Sequence, residues 1–241
     1  MSLGPPRLRQ RLSPGALLRG LLATRGSIQT PLAAEWRPAL EAIGETRRRT
    51  ALLMNDAAAL QIQICVAAAR RLPGVMAEAG VLMGGSARLI CEAKGRTPLH
   101  LFDVFETLQD EHSADADTEP NPDLEAVRAH FGAVHGQRLE VERLLASYPG
   151  VLLHPGLFPR SALGLEALTF SFVHLDLDLP TGTRAGLEFF HPRLSPGGML
   201  LGDDYDDPGV RQVFADYFAA RPDTVIGLPW GQVLVVKQGA G

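Results

Sequence analysis

Short apolar runs alternate along this chain with segments whose apolar residues recur every three or four positions. The first pattern is typical of strands buried on both faces and the second of helices packed on a sheet. Strands that alternate with helices form parallel sheets, so we expect a doubly wound, Rossmann-like α/β domain with seven strands. The last two strands are joined by a few residues and must be antiparallel. The predicted strands are 75–79, 99–103, 151–154, 170–176, 199–203, 224–228 and 232–237, and the predicted helices include 51–71, 84–93, 183–194 and 210–219.

Residues 1–50 depart from this pattern, because they are rich in Arg, Pro and Gly and their helical periodicity is broken. We interpret them as a helical N-terminal extension that packs on a neighbouring element or a partner chain, and 51–241 as the main domain. The arginine run 47–49 is predicted to be a solvated face. The acidic loop 106–123 is predicted to be a solvated surface segment or a lid over a site.

Composition narrows the class of protein only a little. The chain has 241 residues, of which 46% are hydrophobic and 21% charged, so it can bury a full core. Its formal net charge of -4 gives no general attraction to nucleic acid or anionic membranes. No apolar run reaches the roughly 18 residues of a membrane span, and Cys65 and Cys91 lack the spacing of a disulfide framework. We therefore expect a cytoplasmic protein with no nucleic-acid or membrane partner.

Carboxylates end two of the predicted strands. Asp176 and Asp178 follow one apolar run, and Asp203 and Asp204 follow another. If the two strands lie side by side, four carboxylates meet at one sheet edge and raise one another's pKa unless a cation or several N–H donors are present. Hard oxygen ligands, with His174 as the softer donor nearby, favour Mg²⁺, Ca²⁺ or Mn²⁺ over zinc.

A glycine-rich turn joins the first predicted strand to its helix. Glycine lets the backbone approach a ligand, and the helix N-terminus offers free N–H groups to an anion. Asp103 lies 23 residues after Gly80, at the end of the next strand, where an acid can hold a ribose. Glu78 is well placed for a cationic amine, which S-adenosylmethionine carries where NAD has a pyrophosphate. The alternative is that the glycines only turn the chain and that Asp103 caps a helix. The residues of the turn that we single out are Gly80, Val81, Gly84, Gly85 and Ser86.

Six motifs occur in a characteristic order between about residues 45 and 237. They are A-E-A-G-V-L-M-G-G-S-A (77–87), F-D-V-F-E (102–106), P-G-L-F-P (155–159), F-V-H-L-D-L-D-L (172–179), L-S-P-G-G (194–198) and G-D-D-Y (202–205). Together they resemble the macrocin O-methyltransferase (TylF-like) family of class I S-adenosylmethionine-dependent, Mg²⁺-dependent methyltransferases, which methylate sugar hydroxyls on natural products.

The resemblance implies a small-molecule hydroxyl acceptor, S-adenosylmethionine as cofactor and Mg²⁺ or Mn²⁺ as metal, in a homo-oligomer. A divalent cation would lower the pKa of a hydroxyl, which is otherwise a poor nucleophile, and fix it in line with the methyl group. Asp176 would be both a metal ligand and the general base, and Asp178 a neighbour that orients the ligands. The implied metal ligands are Asp176, Asp203 and Asp204, and the implied cofactor residues are Glu78, Gly80, Val81, Gly84, Gly85, Ser86, Asp103 and Phe105.

Two departures from the family pattern concern the acceptor. Where the family commonly has D-L-Y-E-S-T, this chain has Asp178-Leu-Pro180-Thr, and Thr107 replaces a usual glycine. We therefore expect a different contact on the substrate side. We expect His154 and His174 each to be either a core residue or a residue that assists the chemistry at the site.

Two other functions are also compatible with the sequence. An aspartyl phosphatase would use Asp176 as a nucleophile, but no lysine lies between Asp176 and Asp203. A catalytically silent interaction protein could keep the fold and the cofactor. Metal-dependent turnover of a hydroxyl acceptor would separate that reading from the enzyme.

Overall fold

The computed structural model describes residues 34–105 and 137–239. The predicted acidic loop 106–123 and most of the N-terminal extension lie outside the described residues. Within these two ranges, strands alternate with helices in the predicted order. The strands are β1 Val75–Ala79, β2 Leu99–Asp103, β3 Val151–Pro155, β4 Phe170–Leu175, β5 Leu194–Gly202, β6 Thr224–Gly227 and β7 Val233–Val236.

The helices pack on both faces of the sheet, so the predicted layer arrangement is confirmed. No helix among the described residues is long and apolar enough to cross a membrane. The α-helices are α1 Arg37–Arg49, α2 Asp56–Ala69, α3 Gly85–Ala93, α4 Gln137–Leu145, α5 Pro180–Phe190 and α6 Pro208–Phe218, and short 3₁₀ turns lie at Ala34–Trp36, Arg160–Ala162 and His191–Arg193.

The seven strands form one sheet in the order β3-β2-β1-β4-β5-β7-β6. Strands β1 to β5 run parallel, and β7 is antiparallel to both β5 and β6, which confirms the predicted fold class. The order of the parallel strands reverses at β1, which has β2 on one side and β4 on the other. In open α/β sheets, ligands bind outside the carboxyl ends of the strands at such a reversal.

Two hydrophobic clusters cover the two faces of the sheet. Residues of α1, α2, α3 and α4 contribute to one cluster, and residues of α5 and α6 to the other. Ala39 and Ile43 of α1 are buried in the first cluster together with Ala58 and Leu60 of α2. The predicted domain boundary at residue 50 thus falls between two helices of a common core, and the division into extension and domain stays a prediction.

Several element boundaries differ from our predictions: the helix predicted over 51–71 is Asp56–Ala69, the helix predicted over 210–219 is Pro208–Phe218, and two further differences have a clear physical reason. We expected a strand from 199, yet β5 begins at Leu194, because a register shift against β4 accommodates its Pro-Gly-Gly segment and the Ser195 hydroxyl donates to the Phe170 carbonyl. We expected a helix over 183–194, yet α5 begins at Pro180. Proline suits the first helical position because its missing N–H would have had no partner there.

Candidate active site

The acidic ends of β4 and β5 lie side by side, as the sequence predicts. Leu175 pairs with Gly202, so the next residues, Asp176 and Asp203, come off neighbouring strands at the same level. The Asp203 N–H donates to the Leu175 carbonyl at 2.9 Å, and the Asp176 N–H donates to the Ala79 carbonyl at 2.8 Å. These backbone hydrogen bonds hold Asp176 against the end of β1 and Asp203 against the end of β4.

Two overlapping groups of side chains could hold a cation, and the ligand atoms within each group lie within 4.8 Å of one another. The first group is His174, Asp176 and Asp203, and the second is Asp176, Asp178 and Asp204. The structure thus brings Asp176 together with Asp203 in one group and with Asp204 in the other, and it adds His174 and Asp178. Spacing was the available signal for both additions, because alternate residues of a strand share a face. We call the four aspartates the carboxylate cluster.

Burial and mutual repulsion perturb the ionisation of the carboxylate cluster. Burial, followed by the charges of Asp203, Asp178 and Asp204, raises the pKa of Asp176 well above its usual range. Burial raises the pKa of Asp203 to about 6, although His174 opposes the shift. Carboxylates that cannot all ionise together are a favourable site for a divalent cation, which would lower these pKa values again.

Glu78 and His174 form a fully buried pair across β1 and β4. The Glu78 Oε1 and His174 Nδ1 atoms are 2.9 Å apart, and both side chains have 0% exposure. Burial lowers the pKa of His174, but the hydrogen bond and charge of Glu78 and the charge of Asp203 more than offset it, so the net shift is upward. Sequence reasoning placed Glu78 at the cofactor and missed this pairing.

Two glycines of the predicted cofactor turn are required by the protein's own packing. A Cβ atom on Gly80 would lie 1.6 Å from the Asp176 carbonyl oxygen, and one on Gly85 would lie 2.4 Å from the Ala51 carbonyl oxygen. Gly84 has a φ of 78° and precedes the first residue of α3. The turn is therefore compressed between the end of β4 and the segment 50–55, and Ser86 is buried in the first turn of α3.

Asp103 binds the backbone of the same turn. Its Oδ2 accepts hydrogen bonds from the N–H groups of Val81 at 2.6 Å and Leu82 at 2.9 Å, and its Oδ1 accepts one from Phe105 at 2.7 Å. Burial raises the pKa of Asp103 and these bonds oppose the shift. The Phe105 side chain is buried in the hydrophobic core. The predicted cofactor residues thus include one acid that organises the turn and one aromatic residue that is buried in the core.

Arg47 corrects our prediction that the whole arginine run is a solvated face. Arg48 and Arg49 are 70% and 59% exposed and pair with Glu45. Arg47 instead donates to the carbonyls of the segment 50–55, which lies against the glycine turn, and to the first residue of α2. Its acceptors are Leu52 O at 2.9 Å, Met54 O at 2.6 Å and Asp56 Oδ1 at 2.8 Å.

The family model for macrocin-O-methyltransferase (TylF) matches residues 34–225. The chain belongs to this TylF family. Family membership gives no support to the aspartyl phosphatase reading. One curated relative, "8-demethyl-8-(2,3-dimethoxy-alpha-L-rhamnosyl)-tetracenomycin-C 4'-O-methyltransferase" of Streptomyces olivaceus, is 32% identical over 174 residues, which cover 65% of this chain and 63% of the relative.

Solved structures share the TylF-family fold at low sequence identity. The O-methyltransferase NovP has a TM-score of 0.61 at 20% identity, over 78% of this chain and 82% of its own. The calicheamicin methyltransferase CalS11 has a TM-score of 0.56 at 18% identity, over 98% and 99%. An O-methyltransferase from Bacillus cereus, solved in complex with SAH, has a TM-score of 0.53 at 17% identity, over 87% and 94%.

The donor set of this TylF-family chain fits a divalent cation. The carboxylate cluster supplies hard oxygen ligands. Among the described residues, two further buried atoms at the site, Glu78 Oε2 and His174 Nε2, have no hydrogen-bond partner. Buried polar atoms without partners are costly and point to a bound group.

Proposed function

We propose that this protein is an S-adenosylmethionine-dependent and divalent-metal-dependent O-methyltransferase that acts on a hydroxyl of a sugar or another natural-product small molecule. The observation that carries the proposal is the position of the carboxylate cluster beside the glycine turn, at the strand reversal of a TylF-family fold. A cation site next to a cofactor turn is what transfer of a methyl group to a weakly nucleophilic oxygen requires.

The cofactor side is assigned to the glycine turn and its neighbours. Backbone N–H groups and the carboxyl ends of β1 and β2 would receive the amino-acid and ribose parts of S-adenosylmethionine. Asp103 would support cofactor binding partly by holding the turn in place, because its carboxylate accepts hydrogen bonds from the backbone N–H groups of Val81 and Leu82. The proposed cofactor residues are Glu78, Gly80, Val81, Gly84, Gly85, Ser86, Asp103 and Phe105.

The metal side is assigned to Asp176, Asp203 and Asp204. When bound, Mg²⁺ or Mn²⁺ would supply Lewis-acid polarisation of the acceptor hydroxyl. S-adenosylmethionine, when bound, would supply the methyl group for a methyl ether and be released as S-adenosylhomocysteine, and Asp176 would accept the proton that the acceptor hydroxyl loses. Asp178 belongs to the same group of acids and is the alternative base.

The acceptor is proposed to be a glycosyl hydroxyl, because the name of the Streptomyces olivaceus relative specifies a rhamnosyl group. The departure at Asp178-Leu-Pro180 lies beside the carboxylate cluster, at the start of α5. The contact with the sugar is therefore expected to differ from that of relatives that carry an aromatic residue and an acid there. The predicted homo-oligomer stays a prediction.

The test combines cofactor binding with turnover. Calorimetric titration with S-adenosylhomocysteine, with and without Mg²⁺, should detect binding, and methyl-labelled S-adenosylmethionine should label a rhamnosylated acceptor only when a divalent cation is present. Asp176→Asn should abolish transfer while sparing cofactor binding, and the same change at Asp178 tests the alternative base. Absence of S-adenosylhomocysteine binding in both conditions would refute the proposal. Cofactor binding without turnover of any hydroxyl acceptor would favour the catalytically silent reading.

A further inference from the structure

His174 presents one ring nitrogen to the carboxylate cluster without bonding to it. Nδ1 is engaged by Glu78 Oε1 at 2.9 Å, and the side chain has 0% exposure. Nε2 has no hydrogen-bond partner among the described residues. The ligand atoms of His174, Asp176 and Asp203 nevertheless lie within 4.8 Å of one another. Because Nδ1 is already bonded to Glu78, Nε2 is the ring nitrogen of this group that remains available to a ligand shared with the two carboxylates.

We propose that His174 Nε2 is a ligand of the divalent ion, together with Asp176 and Asp203, and that Glu78 orients the imidazole. This inference rests on the proposed function, because it assumes that a cation occupies the carboxylate cluster. It adds a nitrogen donor to the implied ligand set of three aspartates, and it gives Glu78 a role toward the metal.

The spacing of the three side chains suits one ion. Donors on opposite sides of an ion with bonds of about 2.1 Å lie about 4.2 Å apart, and adjacent donors lie closer. Separations of no more than 4.8 Å therefore allow all three donors to reach one ion after at most a small inward movement of the side chains. Hydrogen bonds already hold the backbone of Asp176 and Asp203, so we expect this closure to come from side-chain rotation.

The hydrogen bond to Glu78 fixes the orientation of the ring, and an ion bound at Nε2 would take the place of a proton there. A histidine ligand commonly donates its other ring N–H to a carboxylate, which fixes the ring orientation and makes the ligating nitrogen more basic. With Nδ1–H donated to Glu78, Nε2 is the nitrogen that would bind the ion. The pair lies in register between β1 and β4, where Glu78 is opposite His174. The two strands therefore hold the ring by backbone pairing as well.

A nitrogen donor changes which ion the site prefers. Imidazole raises the affinity for first-row transition ions relative to Mg²⁺, whose ligands are oxygen atoms almost exclusively. We expect wild-type protein to bind Mn²⁺ more tightly than Mg²⁺. Glu78→Gln should weaken Mn²⁺ binding by roughly 10-fold or more, and His174→Gln should weaken it further while affecting Mg²⁺ binding less.

The direct test is electron spin echo envelope modulation of Mn²⁺ added to the cofactor-free protein, with natural histidine and with ¹⁵N-histidine. Modulation from a coordinated imidazole nitrogen should appear, should change with the isotope, and should vanish in His174→Gln. His154→Gln is the matched control, because β3 lies three strands from β4, or about 14 Å away. The labelled wild-type protein gives an answer even if His174→Gln does not fold.

Each result decides the inference separately from the proposed function. Mn²⁺ that binds without histidine nitrogen coupling, or coupling lost in His154→Gln and kept in His174→Gln, would overturn the role of His174 and leave an all-oxygen metal site standing. Failure of Mn²⁺ to bind at all would overturn the inference and the metal part of the proposed function. Methyl transfer would still be tested by the titration with S-adenosylhomocysteine.

Discussion

Replacing Gly80 with alanine should damage both the fold and the candidate site. The new Cβ atom would lie 1.6 Å from the carbonyl oxygen of Asp176, and the residue has a φ of +90°. Since the obstacle is backbone, no side-chain rotation relieves it. Overpacking costs about 2 kcal/mol, and the left-handed backbone about 1 kcal/mol more for a residue with a Cβ atom. The expected loss of unfolding free energy is therefore about 3 kcal/mol.

Gly95→Ala is the matched control for this prediction. Gly95 has a φ of +63°, and a Cβ atom there would meet nothing within 4 Å. Gly95→Ala should lose only the free energy of unfolding that the left-handed backbone costs, about 1 kcal/mol. Urea denaturation, monitored by circular dichroism, measures the free energy of unfolding of both variants. The dependence of that free energy on urea concentration should be the same as in the wild type. Equal losses for Gly80→Ala and Gly95→Ala would show that the turn does not press against Asp176, and the compression argued for the site would be wrong.

Three further predictions concern the elements around the site. Arg47→Ala should lower the free energy of unfolding by about 2 kcal/mol, because the change removes a charged donor from three acceptors. Arg48→Ala should leave the free energy of unfolding unchanged, because Arg48 is exposed. Equal effects of the two changes would contradict the anchoring role of Arg47. Burial, together with His154, lowers the pKa of His100 to about 4, so the unfolded chain binds the proton more tightly and stability should fall as pH drops from about 6.5 toward 4. His100→Gln should flatten that part of a pH series of thermal unfolding, and an unchanged slope would refute the assignment. Asp207→Ala should cost about 1 kcal/mol in urea unfolding, because Asp207 Oδ1 accepts the first N–H groups of α6, and no loss would mean that water replaces the cap.

The order of elements and the acidic strand ends could be predicted from the chain alone. Apolar runs that stop at Asp103, Asp176 and Asp203 mark buried parallel strands, and the carboxyl ends of such strands meet at one edge. The signals are local, because hydrophobic period and strand-ending residues are properties of a few consecutive positions. Element ends were harder, as Leu194 and Pro180 show, because the register with a neighbouring strand and the cap of a helix decide them.

The contacts that give the site its chemistry could not be read from the chain. Glu78 and His174 are 96 residues apart and meet because β1 and β4 pair in one particular register. Arg47 is only partly exposed because three neighbouring acceptors, on the segment 50–55 and at the start of α2, bind its guanidinium. Both are consequences of which elements become neighbours, and the pattern of a single segment contains no information about that choice.

The sequence by itself determined the fold class, the glycine turn and the set of acids at the strand ends, since each depends on local pattern and on the rules of parallel sheets. The tertiary structure decided how those residues are used. It made Gly80 a contact of Asp176, turned Asp103 toward the backbone of the turn, and placed beside the acids a histidine nitrogen that has no hydrogen-bond partner among the described residues. The physical reason is that burial and hydrogen bonding are properties of pairs of residues that the fold brings together.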